Sequence, residues 1–414
     1  MSDNIVVALR LRPFISRELN EENEKYWEAQ ENTIVQYEPT TKKPINSFAF
    51  DEVFDVNITN EKIYNDLAHP IVQSGLAGFN GTIFAYGQTS SGKTYTMTGT
   101  SSTLGIIPLA IQNIFNSIEN MPDREFLLRA SYMEIYQENI YDLLTGEKIS
   151  TIREDSHGQD YGPRYKRSLL AVMSDGDKRR KVGETNMNER SSRSHSIFRL
   201  IIESKERGDK DCQGAITVSH LNLVDLAGSE NASQTGAVGE RLREGGSINR
   251  SLFMLGRVIS QLSEGEQHIN FRDSKLTRIL QNSLGGNAKT VIICTVTPAN
   301  KEQTLSTVRF ACRAKNIKNK PIINEVVSDA ALLKRYALEI KRLRQALENE
   351  RNTDKAQEME QVKEKLDEQE KQNMELNGKI IALKEKLVVS SHPHVSSNAV
   401  DLKKRRMTWA APLL

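Results

Sequence analysis

Residues 80–98 read NGTIFAYGQTSSGKTYTMT, and no other stretch limits the fold as much. Thr82–Tyr86 is a short apolar run with β-branched and aromatic bias, the pattern of a buried parallel strand. Gly87–Thr94 follows at once as G-x-x-x-x-G-K-T, and a helix can continue from Thr94. Strand, glycine-bounded loop and helix in that order are the context of a phosphate-binding loop. The two glycines let the backbone of Gly87, Gln88, Thr89, Ser90, Ser91 and Gly92 turn its N–H groups around phosphate oxygens. The helix N-terminus adds positive potential. Lys93 is then expected to reach the β- and γ-phosphates and the Thr94 hydroxyl to sit on Mg2+.

The rest of the chain supplies strands and helices in alternation. Strands are expected at Ile5–Leu9, Ser47–Phe54, Phe126–Tyr136, Ile197–Glu203, Ala215–Val224 and Thr290–Thr297. Helices are expected at Asn60–Ala77, kinked by Pro70 and ended by Gly78, and at Pro108–Met121, Ser247–Leu262, Ser274–Leu284 and Glu302–Ile317. Glu18–Glu28 is polar and reads as loop or a short helix. This interleaving predicts an α/β fold: a central, mostly parallel sheet of the phosphate-loop type with helices on both faces. The ligand then lies at the carboxyl ends of the strands.

A net charge of +2 over 414 residues gives no global signal for nucleic acid, so any electrostatic partner must meet a local patch. The three cysteines are too widely spaced for a disulfide framework or a metal site and suit a reducing compartment. The N-terminal hydrophobic run carries Arg10 and Arg12, which argues against a signal peptide or membrane anchor and for a soluble, intracellular protein.

Two further stretches narrow the chemistry. Asn188–His195 reads NERSSRSH, a run of hydroxyls around an arginine that can supply ligands to Mg2+, a γ-phosphate and an attacking water. Val224–Glu230 reads VDLAGSE, a buried strand ending in Asp225 and then Gly228. Asp225 is placed to hold hydrated Mg2+. Gly228 can offer its N–H to a γ-phosphate where a side chain would block approach. Both segments can sense the γ-phosphate, the order–disorder logic of nucleotide switches.

With these residues assembled, the chain resembles the kinesin motor domain. The resemblance rests on Arg10–Pro13 (RLRP), Gly87–Thr94, Asn188–His195, Asp225–Glu230, Asn249–Ile259 and His268–Gly286, and it spans residues 5 to about 320. Asp123–Leu144 and Asn324–Tyr336 look like the centromere-associated kinesins in particular. The resemblance implies an ATP- and Mg2+-dependent, microtubule-stimulated ATPase. Arg10, Arg12 and Pro13 are then expected to frame the adenine and Tyr95 to stack on it. Ser191 and Ser192 should approach the γ-phosphate and Mg2+, and Arg193 should pair with Glu230 when the switches close. Thr94, Ser192 and Asp225 form the expected Mg2+ set, the last through water. Arg250, Arg257, Arg272, Lys275 and Arg278 should face the acidic microtubule.

The same resemblance sets the expected organisation: motor domain at 1–314, neck linker at 315–329, an interrupted coiled coil at 330–389 and a disordered basic tail at 390–414. From the residues themselves, Leu333, Tyr336, Ile340, Leu343 and Leu347 step by three and four, and the seam resumes from Val362 to Leu387. That argues for a homodimer. In the tail, Arg405 and Arg406 precede Thr408, a pattern suited to a basophilic kinase, and Arg406–Trp409 loosely resembles a docking motif for type 1 phosphatase. The family further implies plus-end-directed movement, a mitotic role on spindle microtubules or kinetochores, and no nucleic-acid or membrane partner. Ser156–Val182 departs from the family: it is shorter than expected, a strand pair is missing, and it should be mobile. The competing expectation is therefore a microtubule-binding ATPase that tethers without processive movement. A non-motile protein with a silent motor fold is disfavoured by Lys93, Thr94, Ser192, Arg193, Asp225, Gly228 and Glu230.

Overall fold

The computed structural model describes residues 4–21, 23–149, 159–161, 166–182, 190–207, 216–230, 240–326 and 369–381. The chain divides into two units, Met1–Leu332 and Leu333–Leu414. In chain order, the first unit opens with β1 (Val6–Leu11), α1 (Ser16–Asn20), β2 (Trp27–Gln30), β3 (Thr33–Tyr37), β4 (Pro44–Ala49) and β5 (Glu52–Phe54). There follow α2 (Asn60–Ile63), α3 (His69–Leu76), β6 (Gly81–Tyr86), α4 (Lys93–Met97) and α5 (Ile106–Glu119). The middle holds β7 (Arg124–Tyr136), β8 (Asn139–Asp142), β9 (Lys148–Ile149), β10 (Gln159–Tyr161), α6 (Lys166–Val182) and α7 (Arg190–Arg193). The unit closes with β11 (His195–Glu206), β12 (Ile216–Asp225), α8 (Glu240–Glu264), α9 (Lys275–Ile279), β13 (Lys289–Val296), α10 (Lys301–Ala314) and β14 (Glu325–Val326).

The large sheet runs β5-β1-β13-β6-β12-β11-β7-β8-β9. Its half around β6 is parallel: β1 on β13, β13 on β6, and β6 on β12. Its other half is antiparallel, with β12 on β11 and β11 on β7. A tight turn joins β7 to β8, with Gln137 and Glu138 both at positive φ (50° and 57°), the mirror-image turn whose twist suits a hairpin.

Side-chain alternation splits the core into two. Val7, Leu9 and Leu11 of β1, with Phe84, Tyr86 and Val224, pack against α8 and α10. Ala8, with Ile83, Ala85, Leu221 and Leu223, packs against α3 and α5. Every residue of β6 is buried, as a strand covered on both faces must be.

The structure corrects several expectations. Ser47–Phe54 is two strands in two sheets: β4 belongs to a separate three-stranded sheet with β2 and β3, and β5 joins the main one. Asp51 makes the break, since its N–H bonds Val7 O at 3.2 Å and its Oδ2 accepts the Val7 N–H at 2.8 Å. Asn60–Ala77 is helical, but a wide π-helical turn at Tyr64–Ala68 precedes Pro70. Proline lacks the N–H of a regular helix and crowds the carbonyl four residues back, and the wider turn relieves both. Gly78 (φ 94°) ends the helix as expected, with the Phe79 N–H returning to Ser74 O. Ser274–Leu284 is α9 flanked by two short 3-10 turns.

Two parts of the departing segment are described, and the helix about Leu169 is the one the family resemblance implies. Gln159–Tyr161 forms β10 on β7, and α6 covers Lys166–Val182 with Leu169 and Met173 buried. In the second unit, residues 369–381 are helical, with Leu376 and Ile381 exposed. The heptad positions 333–347 and the tail with Thr408 lie outside the described residues.

After α10 the strap Lys315–Val326 runs along the core. Asn319 is its buried anchor: Nδ2 faces Ser283 O (3.0 Å), Ala288 O (2.6 Å) and Thr290 Oγ1 (3.1 Å), and Oδ1 accepts the Gly285 N–H (2.7 Å). Asn319→Ala would leave these buried groups unpaired. It is expected to destabilise the first unit by about 2–3 kcal/mol, seen as a lower urea midpoint. An unchanged midpoint would refute the anchor.

Candidate nucleotide site and its switches

The loop after β6 has a cradle's geometry. A Cβ at Gly87 would overlap the carbonyl of Thr295, so only glycine fits there. Gly92 (φ 103°) starts α4, and a Cβ on it would meet open space. Lys93 is buried, its Nζ donating to Gly87 O (2.9 Å) and Gln88 O (2.7 Å). Burial lowers its pKa, while Asp225 and Glu230 pull it upward. Ser91 Oγ lies 2.6 Å from Thr295 Oγ1, fastening the loop to β13.

Thr94 and Asp225 meet as the sequence predicts. Thr94 Oγ1 donates to Asp225 Oδ2 at 2.8 Å. Asp225 is 1% exposed, and among the described residues its Oδ1 accepts no hydrogen bond. A buried carboxylate oxygen beside a threonine hydroxyl is a fit for hydrated Mg2+. The same oxygen Oδ2 receives Arg180 Nη1 at 3.1 Å. Arg180, on α6, also bonds Ser196 Oγ (3.0 Å) and Ser194 O (3.0 Å). It was not among the expected site residues. In the sequence it sits in the run DKRRK, which looks like a solvated face.

The two switch segments touch each other here. The Gly228 N–H donates to Ser192 O at 2.8 Å, and the Ser229 N–H to Gly87 O at 3.1 Å. A Cβ at Gly228 would overlap the Thr89 hydroxyl and the Glu230 carboxylate. Glu230 Oε2 accepts the Thr89 N–H at 2.7 Å, and its Oε1 accepts the Thr89 hydroxyl. Ser191, Ser192 and Arg193 lie in the short helix α7 beside them. His195, next along, accepts the Ala227 N–H on Nδ1 (3.0 Å), so its Nε2–H donates to Ser251 Oγ of α8 (2.7 Å). Burial, then Arg180 and Lys93, push this imidazole down to about 3, so it stays neutral.

The expected adenine frame is only partly as expected. Arg10 turns inward, 7% exposed, with Nη1 on Asn60 Oδ1 (2.5 Å) and Thr96 Oγ1 (2.7 Å). It supports the half-exposed Tyr95 from beneath, 5.0 Å from the ring centroid, and does not itself line the outer surface. Arg12, Pro13 and Tyr95 stay at the mouth of the loop.

Arg180→Met would strand the Asp225 charge without its cation. It is expected to cost about 3–5 kcal/mol, read from a urea titration, and an unchanged midpoint would show the ion pair to be dispensable.

Comparison with known proteins agrees with this geometry. The kinesin motor domain family matches residues 10–317. The chain is 50% identical to human centromere-associated protein E over 98% of its length, and it covers 15% of that protein. It is also 50% identical over 78% of its length to the rice kinesin-like protein KIN-7L, covering 53% of it. The chain therefore spans about half or less of these relatives. Among solved structures, a fast kinesin aligns at TM-score 0.70 and 41% identity, covering 79% of this chain and 96% of that one. A KIF14 dimer with AMP-PNP on a microtubule aligns at TM-score 0.71 and 35% identity, covering 78% and 97%. The chain belongs to the kinesins, motor-domain ATPases stimulated by microtubules.

Proposed function

We propose that this chain hydrolyses ATP with Mg2+ and couples the cycle to movement along microtubules, plus-end-directed and in the service of mitotic chromosome movement and kinetochore attachment. The observation that carries the coupling is the Gly228–Ser192 hydrogen bond beside Thr94 and Asp225. It supports a reading in which both switches answer to one phosphate. Similarity to human centromere-associated protein E over nearly the whole chain supports the mitotic reading, and similarity to plant KIN-7 kinesins leaves room for other cargo.

Mg2+ held by Thr94 and Ser192, with Asp225 reached through water, would neutralise phosphate charge. The chain's own groups do the rest. Lys93 leaves the Gly87 and Gln88 carbonyls for the β- and γ-phosphates. Gly228 exchanges Ser192 O for the γ-phosphate. Glu230 exchanges Thr89 for Arg193, closing the switches over the attacking water. His195 registers this movement on α8 through Ser251. The strap then docks or releases: β14 pairs with β12, and Asn324 N and Nδ2 both donate to Gly78 O (3.0 and 3.3 Å).

The track-facing surface follows from the packing of α8. Leu252, Leu255, Val258 and Ile259 are buried, while Arg250, Phe253 and Arg257 stand on the opposite ridge at helical spacing. Phe253 is 67% exposed. Arg272 and Arg278 are exposed nearby in sequence and Lys275 is half-buried. An aromatic between arginines suits an acidic protein surface with an apolar recess. Dimerisation through 330–389 and modification of Thr408 remain part of the proposal. The competing reading is a microtubule-binding ATPase that tethers without processive movement, and a gliding assay separates the two.

The test is steady-state ATPase activity with and without microtubules. Strong stimulation is expected. Phe253→Ala should raise the half-activating microtubule concentration roughly fivefold. Arg250→Ala with Arg257→Ala should raise it further and flatten its salt dependence. Absence of stimulation would refute the motor reading, and unchanged half-activation would refute this face.

A further inference from the structure

A second charged pair sits at the mouth of the phosphate loop, outside the chemistry described so far. Arg12 and Glu18 form a two-bond fork: Nη1 to Oε2 at 2.6 Å and Nη2 to Oε1 at 2.7 Å. Their side chains are only 11% and 15% exposed. The remaining edge of the guanidinium is also occupied. Nε donates to Ser90 O at 2.7 Å, and Nη1 to Pro13 O at 2.7 Å. Glu18 is itself fixed, since its Oε2 accepts the Ile15 N–H at the start of α1 (3.1 Å). The Arg12 hydrogen bonds hold the Glu18 carboxyl below the usual carboxylate range despite partial burial.

Ser90 is the point of this arrangement. It lies in the middle of the phosphate loop at φ 60°, a left-handed conformation that a serine adopts only when held there. The bond from Arg12 Nε to its carbonyl does the holding. With its edges taken by Glu18, Pro13 and Ser90, the Arg12 guanidinium plane is held in one orientation. A carboxylate is needed to do this. A neutral amide would lose charge assistance and one acceptor and could no longer fix a guanidinium at both nitrogens.

We infer that Glu18 is a positioning residue for the nucleotide: through Arg12 it locks the Ser90 turn and orients the guanidinium face toward a purine base, setting how long a nucleoside diphosphate stays bound. The inference rests on the reading of this loop as the ATP site. It predicts a split in the kinetics. Nucleotide residence should depend on Glu18, whereas the hydrolytic step, built from Thr94, Asp225, Gly228 and Glu230, should not.

The experiment is release of a fluorescent ADP analogue by stopped flow, without microtubules, on the full chain. Glu18→Gln is expected to speed release roughly five- to tenfold and to raise the KM for ATP, with the single-turnover rate of hydrolysis changed less than about twofold. Arg12→Lys should act in the same direction, and the double variant should be no worse than the stronger single one. Glu21→Gln, which alters only exposed contacts with Arg17 and Asn23, should release at the wild-type rate. Unchanged release in Glu18→Gln, additive effects in the double variant, or a lowered thermal midpoint without faster release would each overturn the inference. Failure of the wild-type chain to bind the analogue would instead overturn the nucleotide reading itself, and this inference with it.

Discussion

The layout of the first unit depends on one buried carboxylate. Asp225 is 1% exposed at the end of β12, where an ionised group without partners would cost several kcal/mol. Its presence is tolerable because Thr94 Oγ1 and Arg180 Nη1 both donate to it. Those donors come from two different helices, one from α4 after β6 and one from α6. Strand register makes the meeting possible. β12 pairs in parallel with β6, Asp225 beside Ala85, so the strand ends where the phosphate loop begins. A slip of one residue would turn Asp225 toward the other core and Val224 toward the loop. Register is pinned because Leu221 and Leu223 are buried on one face and Val224 on the other.

The parts of the site legible in the sequence are those whose chemistry is fixed by neighbours in the chain. The loop Gly87–Thr94, Asp225 at a strand end and Gly228 just beyond it carry their roles in local spacing. Arg180 does not, because its meaning lies in a partner 45 residues away. The inward turn of Arg10 was equally hidden. Arg10 lies near the end of β1 and Arg12 just beyond it, and only the depth of Asn60 and Thr96 beneath the first separates a strut from a rim residue. In the fold, β2 and β3 escaped notice because four- and five-residue strands with mixed polarity show too little alternation. Ser47–Phe54 alternates correctly, yet hydropathy cannot say that Asp51 passes the chain from one sheet to another.

The strap after α10 shows a different economy. Beyond Ile317, which is buried in the core, its hold is made by asparagine amides and backbone groups more than by apolar burial, for Ile322 and Ile323 are both exposed. Asn319 is sealed in, but Asn324 bonds Gly78, Asn287 and the Val218 N–H from a half-buried position. Hydrogen bonds that water can replace contribute about 1 kcal/mol each, so the distal half of the strap is held by little free energy. A segment held in this way can be released by a small change elsewhere in the unit, whereas one held by a buried leucine could not.

The same reasoning applies at Gly228. Thr89 of the phosphate loop, Glu230 of the second switch and Ser192 of the first all converge on a residue without a side chain. In the proposed cycle, closing on a γ-phosphate would ask the Gly228 N–H to leave one oxygen for another, and Glu230 to leave Thr89. Each exchange keeps the number of bonds nearly constant, so the two states differ by the quality of a few charged hydrogen bonds. A phosphate that binds one state better by a few kcal/mol is enough to move such an equilibrium from end to end. His195 makes that movement consequential. Its ring is neutral and of fixed tautomer, and it bonds the backbone of the second switch on one side and α8 on the other. A shift of Ala227 must therefore either carry Ser251 with it or break a buried hydrogen bond.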